Sequence, residues 1–339
     1  MVGTKLSERF TYTISAYIYA MINWGIIGCG NVTEVKSGPA FNKVNASSLV
    51  AVMRRDAYKA SDYARRHNVR KWYSDARQLI NDPEVNAIYI STPPSTHEEY
   101  AMMAMEAGKH VYVEKPFTIN APSARRLAEA SKALNIKLCV AHYRRQIPLF
   151  KKVKQLIDEN YIGKIVAISI LLYQHGMEAT ADNWRLDPEI SGGGYFHDLA
   201  PHQLDLLYYF FKAPVYVEGI SVNRAHAYNA DDAVACTMLF ENGALMNGLW
   251  SFSVPATEEK DICEITGTEG SLLFSVFDMQ KITVRKNGKE EIIPFEPLPH
   301  VQQPMIEKIV EYFSGKGTNP CSGDDGYTVM WMMDKITGK

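Results

Sequence analysis

The sequence predicts an α/β protein in which a doubly wound parallel sheet is followed by an α+β domain with a large, mostly antiparallel open sheet. Up to about residue 145, short apolar runs alternate with helical segments, which is the pattern of βαβ units. Beyond that point, β-rich runs are separated by tight turns such as Asn242-Gly243 and Asn287-Gly288. Because Asn-Gly between apolar runs indicates a hairpin, the second half is predicted to be mostly antiparallel.

Five short apolar runs in the first half are the predicted parallel strands. They are Ile22–Ile27, Ser48–Met53, Asn86–Ser91, Val111–Glu114 and Lys137–Ala141. Three segments with helical patterns lie between them, at Ala57–His67, His97–Ala107 and Ser123–Leu134. Right-handed crossovers through these helices give a doubly wound sheet.

The second half contains longer β-rich runs. The predicted strands are Ile165–Tyr173, Val215–Asn223, Ala233–Phe240, Ala244–Phe252, Ile262–Thr266, Leu272–Phe277 and Ile282–Arg285. The predicted helices are Pro148–Asn160, Gln302–Ser314 and Asp325–Ile336. We therefore expect one domain over residues 21–145 and a second over residues 146–339.

Residues 1–20 precede the first predicted strand. Two basic residues and a mildly apolar stretch give this segment a weak likeness to a secretory signal. Thr, Ser and Tyr interrupt the stretch, and Glu8 lies in its basic region. We therefore expect an N-terminal extension that does not take part in the domain pattern.

Composition and charge exclude several classes of protein. The chain has 36 Lys+Arg and 38 Asp+Glu, for a net charge of −2, which argues against nucleic acid or an anionic membrane as the main partner. No apolar run reaches the roughly 20 residues of a membrane-spanning helix. The 5 cysteines are scattered, without a C-x-x-C pair. Such a set indicates reduced thiols, and we expect a cytoplasmic protein.

A glycine-rich turn, Gly28-Cys29-Gly30-Asn31-Val32-Thr33, follows the first strand. The first glycine permits a tight turn, and the second lets a pyrophosphate approach the backbone N–H groups at the start of a helix. Thr33 takes the place of the usual third glycine. An ordinary glycine-rich turn is the alternative, but its position after the first strand of a βαβ unit favours dinucleotide binding by Gly28, Gly30, Asn31 and Val32.

The second strand ends at Arg54-Arg55-Asp56. Sheets that select NAD usually have a carboxylate here, which binds the ribose 2′-hydroxyl. A guanidinium pair instead favours a 2′-phosphate, so we expect NADP(H) to be preferred over NAD(H). The alternative is that both arginines are solvated and that Asp56 reaches the ribose.

Two further segments carry candidate catalytic residues. Glu114-Lys115-Pro116 ends the fourth strand, at the edge where ligands bind to open parallel sheets. Gly192-Gly193-Gly194 precedes a stretch in which Asp198, His202 and Asp205 recur at i, i+4 and i+7, on one face of a helix. In this interpretation Pro201 occupies the first helical turn.

Three interpretations of the second segment remain open. His202 moves a proton while Asp198 orients it or holds a substrate hydroxyl. Alternatively, His197, Asp198, His202 and Asp205 bind a divalent metal, although a spacing of five between the histidines is awkward for one helical face. In the third interpretation these residues form a structural network. Of the three, we expect catalysis and no metal.

Together these motifs resemble the glucose–fructose oxidoreductase, inositol dehydrogenase and MocA family. The resemblance runs from about Met21 to the C-terminus and adds several segments to those above. These are Thr92-Pro93-Pro94-x-x-His97, Ala107-Gly108-Lys109-His110-Val111-x-Val113-Glu114-Lys115-Pro116, Arg144-Arg145-x-x-Pro148, Trp184-Arg185 and Gly267-Thr268-x-Gly270.

The resemblance implies a Rossmann NAD(P)-binding domain at residues 21–145 and a substrate-binding and oligomerisation domain at residues 146–339. Substrates would be sugars, cyclitols or related polyols, and the open sheet would form a homodimer or homotetramer. Lys115, Asp198 and His202 would be catalytic and contact the substrate, with Tyr173 as a further candidate contact. The cofactor site would add Ser91, Thr92, Pro93, His97, Glu114, Lys115, Arg144, Trp184 and Arg185 to the turn and the arginine pair.

The predicted reaction is hydride transfer between nicotinamide and a carbinol or keto carbon. His202 would act as the base, because imidazole titrates near pH ~6.5, and Lys115 would stabilise the alkoxide. Two alternatives stay open. One is an NAD-dependent glycosidase of the same family that uses an oxidation–elimination cycle. The other is a sensor protein that binds NADP(H) without turnover.

Overall fold

The computed structural model describes residues 21–176 and 183–339. The expected N-terminal extension, residues 1–20, lies outside these ranges. Residues 177–182, which follow the strand that carries Tyr173, also lie outside them.

The first sheet contains six parallel strands, and the predicted doubly wound topology is confirmed. The strands are β1 (Ile22–Ile27), β2 (Ser47–Met53), β3 (Lys71–Tyr73), β4 (Ala87–Ile90), β5 (His110–Val113) and β6 (Leu138–Val140). Their order in the sheet is β3-β2-β1-β4-β5-β6. The helices of this half are α1 (Asn31–Val35), α2 (Gly38–Phe41), α3 (Ala57–Arg66), α4 (Ala76–Ile80), α5 (His97–Glu106) and α6 (Ala121–Ala133).

Strand β3 was not among the sequence predictions. It is a three-residue edge strand, and Trp72 at its centre is 45% exposed. An edge strand without buried side chains leaves no apolar run in the sequence, and periodicity therefore does not reveal it.

The second half forms a mostly antiparallel sheet, as predicted, with eight strands rather than the seven that the sequence indicated. These are β7 (Ile165–His175), β8 (Pro214–Val222), β9 (Ala233–Phe240), β10 (Leu245–Val254), β11 (Lys260–Gly267), β12 (Gly270–Phe274), β13 (Lys281–Lys286) and β14 (Lys289–Pro294). Their order is β14-β13-β12-β11-β7-β10-β9-β8, and only the β7–β10 pair is parallel. The helices are α7 (Pro148–Asp158), α8 (Pro188–Ser191), α9 (Gly194–Phe211), α10 (Gln303–Phe313) and α11 (Gly323–Thr337).

One face of the second sheet packs against α9. Trp250 on β10 is fully buried, and its indole N–H donates to Oε1 of Gln203 at 2.6 Å. The Phe196 ring meets the Trp250 ring edge to face, with centroids 5.2 Å apart. Because side chains alternate along a strand, the neighbours of these inward residues point to the other face of the sheet. This second face includes Ile220 and Leu249, which are 65% and 38% exposed.

The last two helices tie the two halves together. The backbone N–H of Val140 on β6 donates to the carbonyl of Cys321, just before α11, at 3.0 Å. The Tyr112 hydroxyl on β5 donates to Gln302, at the start of α10, at 2.9 Å. All five cysteines are buried and unpaired. Within the part of the chain that the structure describes, no helix is both long enough and apolar enough to cross a bilayer.

Candidate active site

A cleft of about 720 Å³ lies between the carboxyl ends of the first-sheet strands and helix α9. Ligands of open parallel sheets bind at this edge, because the loops that follow the strands leave a crevice there. The cleft is lined on one side by the turn after β1 and on the other by the first turns of α9. It therefore joins the two segments that the sequence singled out.

The glycine-rich turn forms one end of the cleft. Gly28 has a φ of +94°, and a Cβ there would lie 2.7 Å from Cγ2 of Thr92 and 2.9 Å from its backbone nitrogen. A Cβ on Gly30 would meet no atom closer than 3.8 Å and would instead fill space in the cleft. Gly28 is thus required because the residues that follow β4 approach it closely, and Gly30 leaves space in the turn for a ligand.

Thr33 takes the place of the usual third glycine and leaves the glycine-rich turn open to a ligand. Its hydroxyl donates to the Gly30 carbonyl at 2.8 Å and lies 3.0 Å from the Gly30 nitrogen, so it closes the first turn of α1. The N–H groups of Asn31 and Val32 lie in that turn, where a helix leaves its amides without intrahelical partners. This open turn, with its free backbone amides, fits the diphosphate of a dinucleotide.

The end of β2 supplies positive charge beside the turn. Nη1 of Arg54 donates to the Cys29 carbonyl at 3.2 Å, and both Arg54 and Arg55 line the cleft. Asp56 caps helix α3 instead, with its Oδ1 accepting from the Lys59 amide at 3.1 Å. This cap and the Lys59 charge hold the pKa of Asp56 below its usual value. Asp56 also lines the cleft, with one carboxylate oxygen engaged at the start of the helix.

The ammonium of Lys115 crosses the cleft to helix α9. Its Nζ donates at 2.8 Å to Oδ1 of Asp198 and at 2.8 Å to the Asp198 carbonyl. The other carboxylate oxygen accepts from Nε of Arg185 at 2.8 Å. Burial alone would raise the pKa of Asp198, but the two cations outweigh it and lower that pKa to about 2. The carboxylate is therefore ionised and shared between two cations.

His202 lies one helical turn beyond Asp198 and faces the same cleft. Its ring stands edge to face against Tyr143 and Phe277, with centroids 5.5 and 5.8 Å away. Burial, followed by the charge of Arg144 and then of Lys115, lowers its pKa well below the usual value. The imidazole is thus neutral near pH 7, and its lone pair is available to accept a proton.

A buried hydrogen-bond network holds the segment that follows β5 and contains Lys115. Oε1 of Glu114 accepts from the Tyr89 hydroxyl at 2.5 Å and from Nε2 of Gln302 at 2.6 Å, and its Oε2 accepts from the Lys115 amide at 3.1 Å. The Lys115–Pro116 peptide is cis. Glu114 therefore links the end of β5 to the start of α10.

Most residues that the sequence assigned to the site line this one cleft. They are Gly28, Gly30, Asn31, Val32, Arg54, Arg55, Ser91, Thr92, Pro93, Glu114, Lys115, Arg144, Trp184, Arg185, Asp198 and His202. Among the described residues, His97 and Tyr173 are not part of this lining.

His97 and Tyr173 are directed toward other parts of the structure than the cleft. His97 is fully buried, and its ring nitrogens bond the carbonyls of Thr92, Pro116 and Phe117 at 2.8, 3.0 and 3.2 Å. It therefore positions the loops that follow β4 and β5. Tyr173 lies on β7 next to the inward-facing Leu172, and alternation directs it to the open face of the sheet, away from α9.

Asp205 belongs to a separate ion pair, although it shares a helix face with Asp198. Its Oδ1 accepts from Nη2 of Arg145 at 2.6 Å, and both side chains are buried. No cluster suited to a metal ion occurs among residues 21–176 and 183–339. Helix α9 also begins earlier than predicted, at Gly194, and Pro201 therefore lies inside the helix rather than in its first turn.

The cleft also contains residues that sequence reasoning missed. Tyr143, Phe277 and Gln302 line it, and they come from a 3₁₀ turn, a strand connection and a helix start. None of these positions carries a motif. Only the folded chain brings them together with His202.

The fold and the site define an NAD-binding oxidoreductase. Residues 22–142 match the profile of the oxidoreductase family with an NAD-binding Rossmann fold, and residues 150–273 match that of the GFO/IDH/MocA C-terminal domain. The chain belongs to the GFO/IDH/MocA family. The family resemblance drawn from the sequence is thereby confirmed.

Individual relatives agree with this assignment. The chain is 48% identical to oxidoreductase P35 of Formosa agariphila, over 94% of this chain and 98% of that protein. It is 27% identical to scyllo-inositol 2-dehydrogenase (NAD(+)) of Bacillus subtilis, over 80% of each chain. A solved structure of levoglucosan dehydrogenase with NADH and levoglucosan has the same fold, with a TM-score of 0.83 over 93% of this chain and 96% of that one, at 23% identity.

Proposed function

We propose that the protein is an NADP(H)-dependent dehydrogenase that acts on a carbinol carbon of a sugar, cyclitol or related polyol. The observation that carries this proposal is the 2.8 Å contact between the Lys115 ammonium and Asp198, within a cleft that also contains His202 and the glycine turn. An amine and an imidazole at the carboxyl edge of a dinucleotide-binding sheet are suited to alcohol oxidation.

The three residues have distinct roles in this proposal. When bound, the nicotinamide ring supplies the acceptor for the hydride that leaves the carbinol carbon. His202 accepts the hydroxyl proton, and its depressed pKa keeps the imidazole neutral for that step. The Lys115 ammonium stabilises the developing alkoxide. Asp198 positions that ammonium, because both of its carboxylate oxygens are engaged by Lys115 and Arg185.

The NADP(H) preference is supported by the charge at the end of β2. Arg54 and Arg55 line the cleft beside the glycine turn, where the ribose of the adenosine half would lie. Asp56, the carboxylate next to these arginines, also lines the cleft, but its Oδ1 is engaged by the first turn of α3. Two guanidinium groups at this position are suited to binding a 2′-phosphate.

The substrate class is supported by the names of relatives. These include a scyllo-inositol 2-dehydrogenase, a levoglucosan dehydrogenase and a 1,5-anhydro-D-fructose reductase. The cleft offers hydrogen-bonding groups at its catalytic end, among them Tyr143 and Asn183. Such groups bind hydroxyl-rich ligands.

We further propose that the protein is a homodimer or homotetramer through the open face of the second sheet. Large apolar side chains on this face are exposed, including Ile220 at 65%, Val222 at 45% and Leu245 at 53%. Contiguous exposed apolar surface of this kind indicates an interaction site. An isologous contact would cover it in both copies.

A spectrophotometric screen tests the proposed activity. Sugars, inositols and keto-sugars are offered with NADP⁺, NAD⁺, NADPH and NADH, and absorbance at the nicotinamide band is followed. We expect turnover on at least one polyol, with a higher kcat/KM for the NADP couple. Tight NADPH binding without turnover on any compound would contradict the dehydrogenase proposal and favour a sensor.

A further inference from the structure

Two adjacent buried arginines have opposite electrostatic surroundings. Arg145 is 5% exposed and is neutralised by Asp205 at 2.6 Å and Asp325 at 3.2 Å. Arg144 is 4% exposed, but it forms no ion pair with any carboxylate of residues 21–176 and 183–339. Its Nε donates to the Val276 carbonyl at 3.0 Å, and its Nη1 donates to the Tyr143 hydroxyl at 3.0 Å.

An unneutralised guanidinium is costly to bury unless something compensates its charge. The Tyr143 and Phe277 rings provide part of this compensation, with the guanidinium carbon 5.1 and 4.8 Å from their centroids. Arg144 also lines the cleft, so a ligand can reach it. A planar guanidinium held between two rings is prearranged for an oxyanion.

Arg144 lies at the catalytic end of the cleft. The two rings that flank it are the same two that stand against His202, at 5.5 and 5.8 Å. The Gly28–Val32 turn and Arg54 form the other end, and a Cβ on Gly30 would lie 3.8 Å from Nη1 of Arg54. The phosphates of a dinucleotide would therefore be bound by other groups.

The charge around His202 is positive in the unliganded protein. Lys115 and Arg185 share the single carboxylate of Asp198, so this trio keeps one excess positive charge. Lys36 also lines the cleft and is exposed. Burial and then the charges of Arg144, Lys115 and Lys36 contribute to the low pKa of His202. The negative charge of a bound anion would neutralise this excess positive charge.

We propose that the substrate is an acidic sugar or polyol whose anionic oxygen group binds to Arg144. This inference rests on the proposed dehydrogenase function and adds the charge of its substrate. A carboxylate, a sulfate ester and a phosphate ester share the required chemistry. Arg144, assigned from sequence to the cofactor, thereby becomes a determinant of substrate specificity.

The test compares D-glucose with D-glucuronate, D-glucose 6-sulfate and D-glucose 6-phosphate. Binding of each compound to the enzyme–NADPH complex is measured by calorimetry, and turnover is measured with NADP⁺. The variants are Arg144→Gln, Arg144→Lys and, as a matched control with the same charge change on the surface, Arg70→Gln. NADPH affinity and the thermal midpoint of each variant report whether it is folded.

We expect at least one anionic compound to bind more tightly than glucose. Arg144→Gln should weaken that binding by about 30-fold or more, as expected for the loss of one partner of a buried charge pair. Glucose and NADPH binding should change little in this variant. Arg144→Lys should retain part of the preference, and Arg70→Gln should retain all of it.

The other outcomes contradict the inference in distinguishable ways. If no anionic compound binds better than glucose, or if Arg144→Gln weakens glucose and the anions equally, Arg144 does not select an anionic group. If Arg144→Gln weakens NADPH instead, Arg144 belongs to the cofactor site. Anion binding that depends on Arg144 but is not accompanied by turnover would support this inference and count against the dehydrogenase proposal alone.

Discussion

The Lys115 ammonium lies 2.8 Å from Oδ1 of Asp198 and 2.8 Å from its carbonyl oxygen, although the two residues are 83 positions apart in the chain. Lys115 follows β5 of the first sheet, and Asp198 lies on α9, which packs on the second sheet. The contact therefore fixes the distance between the nucleotide-binding edge and the helix that carries His202. In the proposed mechanism, the geometry at this contact decides whether hydride and proton transfer can occur together.

Replacing Arg54 should change cofactor choice. In Arg54→Ser, the Kd for NADPH should rise by about 30-fold or more, because a 2′-phosphate loses a charged partner. The Kd for NADH should change little, since NADH lacks that phosphate. Fluorescence titration with both cofactors measures this difference, and Arg70→Ser is a matched control for the loss of a cation. An equal loss for both cofactors would argue that Arg54 supports the turn rather than the phosphate.

Breaking the Arg145–Asp205 ion pair should lower the free energy of unfolding rather than impair the catalytic step. Asp205→Asn leaves the Arg145 charge buried, with Asp325 at 3.2 Å as its remaining carboxylate. We expect a loss of about 3–5 kcal/mol in the free energy of unfolding, measured by guanidinium denaturation. Asp62→Asn, which removes the surface ion pairs of Asp62 with Arg65 and Arg66 on α3, should change stability little. A fully stable but inactive Asp205→Asn would instead place Asp205 in the reaction.

The sequence predicted the fold well because most strands of both sheets are marked by buried apolar residues. β1 and β9 were predicted with the same limits that the structure has, since each lies within a sheet and its apolar residues stand out. Strand β14 was missed because five of its six residues are exposed. The site was harder, because Phe277 and Gln302 reach the cleft only through tertiary packing. The sequence also does not show that Arg144 contacts aromatic rings rather than a carboxylate.

Acid should destabilise the protein before the carboxylates titrate. Burial lowers the pKa of His142 to about 4 and that of His197 to about 3, whereas an unfolded chain protonates histidine near pH ~6.5. Stability is therefore full above that pH and is lost as the pH falls toward 4, at about 1.4 kcal/mol per pH unit for each such histidine. The lowered pKa of Asp198 acts in a separate window, with its contribution lost between its usual value of 3.8 and about 2.

The His142→Phe variant tests this account of acid sensitivity. Both ring nitrogens of His142 are buried without hydrogen-bond partners among the described residues. The free energy of unfolding of His142→Phe should therefore fall less steeply than that of the wild type between pH 6.5 and about 4. His226→Gln on the surface serves as the control and should keep the wild-type slope. An unchanged slope in His142→Phe would mean that His142 takes up a proton in the native state.

Charges on the open sheet face should dissociate the proposed oligomer. The double variant Ile220→Glu, Leu249→Glu places two carboxylates on this face, on either side of Ala235. We expect a monomer by light scattering at a concentration where the wild type is a dimer or tetramer. Tyr58→Glu is the control, because Tyr58 is 82% exposed on α3 in the other half of the molecule. A wild-type monomer, or an unchanged mass in the double variant, would contradict association through this face.

Lys115 and His202 are proposed to act together on a substrate beside the nicotinamide. The most direct measurement pairs NADPH affinity with turnover in Lys115→Ala and His202→Ala. Each variant should lose about 10²–10⁴-fold in kcat, while the Kd for NADPH stays within a few-fold of the wild-type value. Wild-type turnover in both variants would contradict the claim and exclude this cleft as the site of the reaction.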